Sequence, residues 1–65
     1  MKTAFQILSD IEHAAGAAGF TMADVCREAG IHQAQVSRWK AKVSEPRLSG
    51  LQRLEDALAA LSAQR

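Results

Sequence analysis

Thr21-Met22-Ala23-Asp24-Val25-Cys26-Arg27-Glu28-Ala29-Gly30-Ile31-His32-Gln33-Ala34-Gln35-Val36-Ser37-Arg38-Trp39-Lys40-Ala41-Lys42 is the stretch that decides how this chain folds. Thr21 is an N-cap and Asp24 stands at the third helical position, the spacing of a capping box. Phe20, just before the cap, is placed to pack on Val25 as a hydrophobic staple. A helix is predicted from about Met22 to Ala29, where Gly30 stops it by accepting a positive φ. Ile31 and His32 make the link, and a second helix is predicted from about Gln33 to Ala41. In that helix Val36 and Trp39 face inward, while Gln33, Ala34, Ser37, Arg38 and Ala41 lie on the other side. Two short helices joined by a tight glycine-containing turn form a helix-turn-helix unit. The inward positions Val25, Ala29, Ile31, Val36 and Trp39 are apolar, the middle of the first helix carries the small Cys26, and no proline interrupts either helix.

Upstream, Thr3 and Gln6 have capping-box spacing, and Ala4, Ile7, Leu8, Ile11 and Ala14-Ala15 recur as one helical stripe. Gly16 to Gly19 ends that helix. Downstream, Pro46 disfavours helix at Glu45, so residues 43–47 are a loop. Leu48, Leu51, Leu54, Leu58 and Leu61 then mark a leucine stripe on a fourth helix. Its start is open: Arg47 serves as a poor cap, or Ser49 with Gln52 forms another capping box, and a start near Leu48 or Ser49 is expected. No strand pattern occurs. The expected fold is all-α, one four-to-five-helix domain over residues 1–65, with the helix-turn-helix motif at 21–42.

With 65 residues the chain has a small core, and a domain of this size buries only roughly 60% of the surface its unfolded chain exposes. That leaves no room for a deep cleft, and no nucleophile–base pair is apparent, so an enzyme is not expected. Cys26 is the sole cysteine, which rules out an intrachain disulfide and fits a reducing, cytoplasmic setting. Cys26 is read as a packing residue. With His13 and His32 it has no usual zinc spacing, and no metal, cofactor, small-molecule ligand or membrane partner is expected.

The charge is uneven. Residues 1–37 carry Lys2 and Arg27 against Asp10, Glu12, Asp24 and Glu28, a net of −2. Residues 38–53 carry Arg38, Lys40, Lys42, Arg47 and Arg53 against Glu45, a net of +4. A polyanion docking there fits this gathering of positive charge, and a solvated basic face fits it equally well.

The run from Thr21 to Ile31, followed by Val36-Ser37-Arg38-Trp39-Lys40, resembles the lambda-repressor/Cro-like (XRE-type) helix-turn-helix family. Glu45-Pro46-Arg47-Leu48-Ser49-Gly50-Leu51, with Leu54 and Ala57-Leu58, is similar to that family's loop and following helix. Val36 to Lys40 also resembles the matching run of lambdoid phage transcription activators. The resemblance covers roughly residues 5–62. It implies a sequence-specific regulator, repressor or activator, of phage or prophage kind, that lays the second motif helix in the major groove of an operator.

By position, the resemblance implies base-facing roles for His32, Gln33, Ala34, Ser37, Arg38 and Ala41. Gln33 suits adenine, Arg38 guanine and Ala34 a thymine methyl. Thr21 and Met22 match phosphate-contact positions, and Lys40, Lys42 and Arg47 are expected on phosphates because of their charge, which positions a protein without reading sequence. Two departures stand out: Met22 occupies a place where the family often has glutamine, and His32 one where serine or threonine would cap better. A domain this small reads about half a turn of DNA, which points to a homodimer, formed in solution or only on DNA, with half-sites roughly 34 Å apart. Helix four and the tail Ala57–Ala63 are the expected interface. The rival reading is the same fold used as a protein-interaction module (an antitoxin, anti-repressor or adaptor). Its outer face on the second motif helix would be apolar or acidic, whereas this one is polar and basic.

Overall fold

Hydroxyl caps begin two of the four helices found in the computed structural model, which describes residues 2–64. The helices are α1 (Ala4–Ala17), α2 (Met22–Ala29), α3 (Gln33–Lys40) and α4 (Leu48–Ala63). Thr3 Oγ1 accepts from the Gln6 N–H at 3.1 Å, and the Thr3 N–H donates to Gln6 Oε1 at 3.1 Å. Thr21 and Asp24 do the same at 3.2 and 3.0 Å. Each such cap stabilises by about 0.5–2 kcal/mol.

The C-terminal ends of α1, α2 and α3 share one device. A backbone N–H just past the helix reaches back five residues: Phe20 to the Ala15 carbonyl, Ile31 to Cys26, Val43 to Arg38. The residue before it reaches back three residues, to the carbonyl of Gly16, Arg27 or Trp39 respectively. This is the Schellman arrangement, and its pivot residue has a left-handed backbone. Gly19 (φ 87°) and Gly30 (φ 71°) supply that conformation for α1 and α2. At the end of α3 the pivot is Lys42 (φ 62°), the one non-glycine residue with positive φ among the described residues. A left-handed backbone costs an ordinary L residue roughly 1–2 kcal/mol.

The core joins all four helices: Leu8, Ile11 and Ala15 of α1, Val25 and Cys26 of α2, Val36 and Trp39 of α3, and Leu51, Leu54 and Ala57 of α4. Phe20, Met22, Ala29 and Ile31 pack against its edge, so Phe20 and Val25 meet the same core, as the staple requires. α2 packs on α4, α1 on α4, and α3 chiefly on α2. Trp39 fixes α3 to α4. A Cβ built on Gly50 would stand 2.6 Å from Trp39 Cη2, so only glycine lets the first turn of α4 approach the indole this closely. The indole Nε1 is buried with no acceptor among the described residues. Among the described residues no helix is long and apolar enough to cross a membrane.

Several expectations need correcting. α3 stops at Lys40, and Ala41 is its C-cap rather than its last helical residue. α4 starts at Leu48, as expected, and of the two caps left open Arg47 is the N-cap, without a side-chain cap bond; the Ser49–Gln52 box does not form, and Gln52 donates to Asp56 instead. Leu48 is 76% exposed. Steps of three residues drift by about 60° around a helix, and Leu48, at the first position, falls off the inner face that Leu51 and Leu54 occupy. Ala14 is exposed for the same reason, while Leu8, Ile11 and Ala15 define the buried arc of α1. Ala57, expected in a dimer interface, belongs to the chain's own core. Ala59, Ala60 and Ala63 are exposed, and Leu58 and Leu61 half-buried.

Candidate nucleic-acid interface

The position of α3 follows from its back. Val36 and Trp39, three residues apart, are 2% and 3% exposed, so the opposite face must point to solvent. On it His32, Gln33, Ala34, Ser37, Arg38 and Ala41 are all exposed. The base-facing residues expected from sequence therefore share one open ridge. His32 is the N-cap of α3, in extended conformation, and makes no side-chain cap bond. No side chain caps the first turn of α3, and within that turn the Gln35 N–H donates to the His32 carbonyl at 3.0 Å. Gln33, at the first helical position, carries an amide able to give and take one hydrogen bond at once.

Gln35 was not singled out from sequence. It is half-buried beside the ridge, and its Oε1 accepts a 3.5 Å bond from Arg38 Nη1. The distance marks a loose contact; it leans the guanidinium along the helix and leaves most of its donors unused. The spacing of three residues within one helix was the signal for this pair.

The cations fall into two groups on either side of α3. On the α1 side, Lys40 and Lys42 line a recess with Phe5, Leu8 and Glu12. Lys40 Nζ is ion-paired with Glu12, and Lys42 Nζ stands 5.5 Å from the centre of the Phe5 ring. On the α4 side, Arg47 and Arg53 line a second recess with Ile31, Gln35, Trp39 and Gly50. Neither arginine has an acidic partner among the described residues. Of the three cations expected on phosphates, Lys40, Lys42 and Arg47, Lys40 is thus partly neutralised, and Arg53 joins the set beside Arg47. Its membership in the basic run was visible in the sequence; its place beside Arg47 depended on the crossing of α4 over α3.

The start of α2 is less open to an anion than the motif suggests. Hydrogen bonds from the Thr21 backbone and hydroxyl, with help from Arg27, hold the Asp24 carboxyl below the ordinary carboxylate value. Asp24 is therefore ionised at neutral pH and already occupies the positive end of this helix. Thr21 Oγ1 accepts the Asp24 N–H in the cap, and its hydroxyl is already engaged with the Asp24 carboxyl, so its contact to a phosphate competes with the cap. The Met22 side chain packs against the core, which leaves only its backbone N–H for such a contact. Cys26 is buried, and burial pushes its thiol above the ordinary value, so it is a packing residue rather than a reactive one.

A glycine-pivoted helix pair whose second member presents a polar ridge, flanked by cations on both sides, defines a helix-turn-helix DNA-binding protein. The chain belongs to the transposase helix-turn-helix family, whose model matches residues 3–64. That match covers the motif and all four helices. It supports the helix-turn-helix DNA-binding unit, and not the lambda-repressor/Cro-like type in particular. No curated protein and no solved structure matches the chain.

Proposed function

We propose that this chain binds double-stranded DNA sequence-specifically, with α3 in the major groove, and acts as a transcriptional regulator at an operator in the manner of lambda-repressor/Cro-like proteins. The observation that carries this reading is the division of α3: an apolar back locked by Val36 and Trp39, and a front of exposed bonding groups. Gln33 and Arg38 read base edges, and His32, Ala34 and Ser37 complete the ridge. Lys42 and Arg47, on opposite sides, hold the phosphates and set the register without reading sequence. Arg53 strengthens the Arg47 side. Thr21 and the Met22 N–H contribute a weaker contact because Asp24 shares their site. Lys40 serves first as a tie to Glu12.

Specific recognition by one ridge is limited to about half a turn, so the functional unit is a homodimer, formed in solution or on DNA. The outer surface of α4 around Ala59, Ala60 and Leu61 is its contact.

The family match favours a second reading, in which the same ridge recognises the end of a mobile element for a transposase-type protein. A selection of bound sequences from a random duplex library separates the two: the chain's own upstream region marks a regulator, and the inverted ends of an element mark the second. A protein-interaction role without DNA predicts no duplex binding at low salt and a partner retained at high salt. Arg38→Ala should relax preference at one base pair by about 1–3 kcal/mol, read by fluorescence anisotropy on matched and mismatched duplexes. An equal loss on every sequence would remove Arg38 from base reading.

A further inference from the structure

The ridge helix ends on a residue type that its backbone disfavours. Position 42 repeats the left-handed pivot that Gly19 and Gly30 provide elsewhere, but with a lysine at φ 62°. The cap itself needs no side chain there, since its two bonds come from the backbone N–H groups of Lys42 and Val43. Backbone held in a disfavoured region by its surroundings points to a use beyond stability. The side chain is also directed: its ammonium lies 5.5 Å from the centre of the Phe5 ring, within the range over which a cation is attracted to an aromatic face.

We propose that Lys42 is a clamp on the DNA backbone at the C-terminal end of α3, and that Phe5 of α1 is the positioning residue that holds its ammonium ready. The proposal rests on the DNA-binding reading above and gives α1 a part in it. An eight-residue α3 is about 12 Å long, close to the width of the major groove. A residue just past its end therefore meets the groove wall, where the phosphates are. The carbonyl end of a helix carries partial negative charge that repels phosphate, and an ammonium at position 42 reverses that sign locally. Lys40, two residues earlier, is less able to do so because Glu12 holds it. A lysine loses considerable rotamer freedom when it grips a phosphate. The Phe5 ring restricts that freedom in advance, so less is lost on binding.

The test is anisotropy of the intact chain on a random-sequence duplex over a salt series, with Lys42→Gly, Phe5→Leu, Phe5→Tyr and the Lys42→Gly/Phe5→Leu pair. Circular dichroism confirms that each variant is helical. Lys42→Gly should weaken binding roughly five- to tenfold at 0.1 M salt and lower the salt slope by about one. Phe5→Leu, which keeps apolar bulk, should weaken it about two- to fivefold, and Phe5→Tyr, which keeps the ring, should restore it. In the Lys42→Gly background Phe5→Leu should add nothing. An unchanged slope for Lys42→Gly, with the wild type still binding, overturns the clamp and leaves the DNA-binding reading standing. A Phe5→Leu effect that persists without Lys42, or tighter binding on losing the ring, overturns the positioning role. No binding by the wild type at low salt ends both.

Discussion

The turn after α2 and the turn after α3 close with the same pair of backbone hydrogen bonds, yet one pivots on Gly30 and the other on Lys42. A Cβ at Gly30 would meet nothing within 4 Å, so glycine is needed there for its backbone alone. That turn sets the angle between α2 and α3 and thereby brings Val36 and Trp39 against the core. At Lys42 the chain accepts the same backbone without glycine and gains a cation beside the ridge. The first turn serves the fold, and the second places a charged group beside the exposed ridge at some cost in stability. Two identical hydrogen-bond patterns can therefore answer to different demands, and residue type at the pivot is what separates them.

Gly30→Val tests that contrast most severely. A β-branched residue in the left-handed region should destabilise by about 2 kcal/mol, a fall of about 8–16 °C in Tm for a domain of this size. Thermal unfolding checks it; an unchanged Tm would mean that the α2 pivot is as permissive as the α3 one. Gly50→Ala comes next, because it presses on α3 from behind without touching either pivot. Alanine gains about 1 kcal/mol of helix propensity. Overpacking against Trp39 costs roughly 1–3 kcal/mol, so a net loss near 1 kcal/mol is expected in denaturant unfolding. The smallest effect concerns the other end of α2. The Asp24 carboxyl is held low by Thr21, so its stabilisation is complete above the ordinary carboxylate range and is lost as pH falls through the depressed folded-state value. Asp24→Asn should flatten that part of an acid series of Tm values while leaving the Gly30 pivot intact.

Most of the architecture was legible from local chemistry. Thr3 with Gln6, Thr21 with Asp24, and Gly30 announce helix ends because a cap is a contact between residues a few positions apart. The ridge was legible too, since Val36 and Trp39 fix which face is inward. What stayed hidden depends on how helices cross. Lys40 counts as a phosphate contact in the linear charge pattern, and only the approach of α1 brings Glu12 to it. Gly50 reads as a weak residue in a helix start, and its purpose emerges only when the Trp39 ring lies against it. Leu48 completes a sequence stripe but sits past the reach of the neighbouring helices. Lysine gives no hint of a left-handed backbone, so the pivot at position 42 had no local signature.

Trp39 is the one tryptophan of the chain, and there is no tyrosine. Light absorbed to the red of the phenylalanine band is thus absorbed by a single indole, lodged between α3 and α4. Its emission is a built-in gauge of whether those two helices are in register. A red shift on heating would time the release of the ridge helix without any attached dye. Because the ring lies on the side of α3 away from the ridge, a duplex bound at the ridge should leave that colour unchanged.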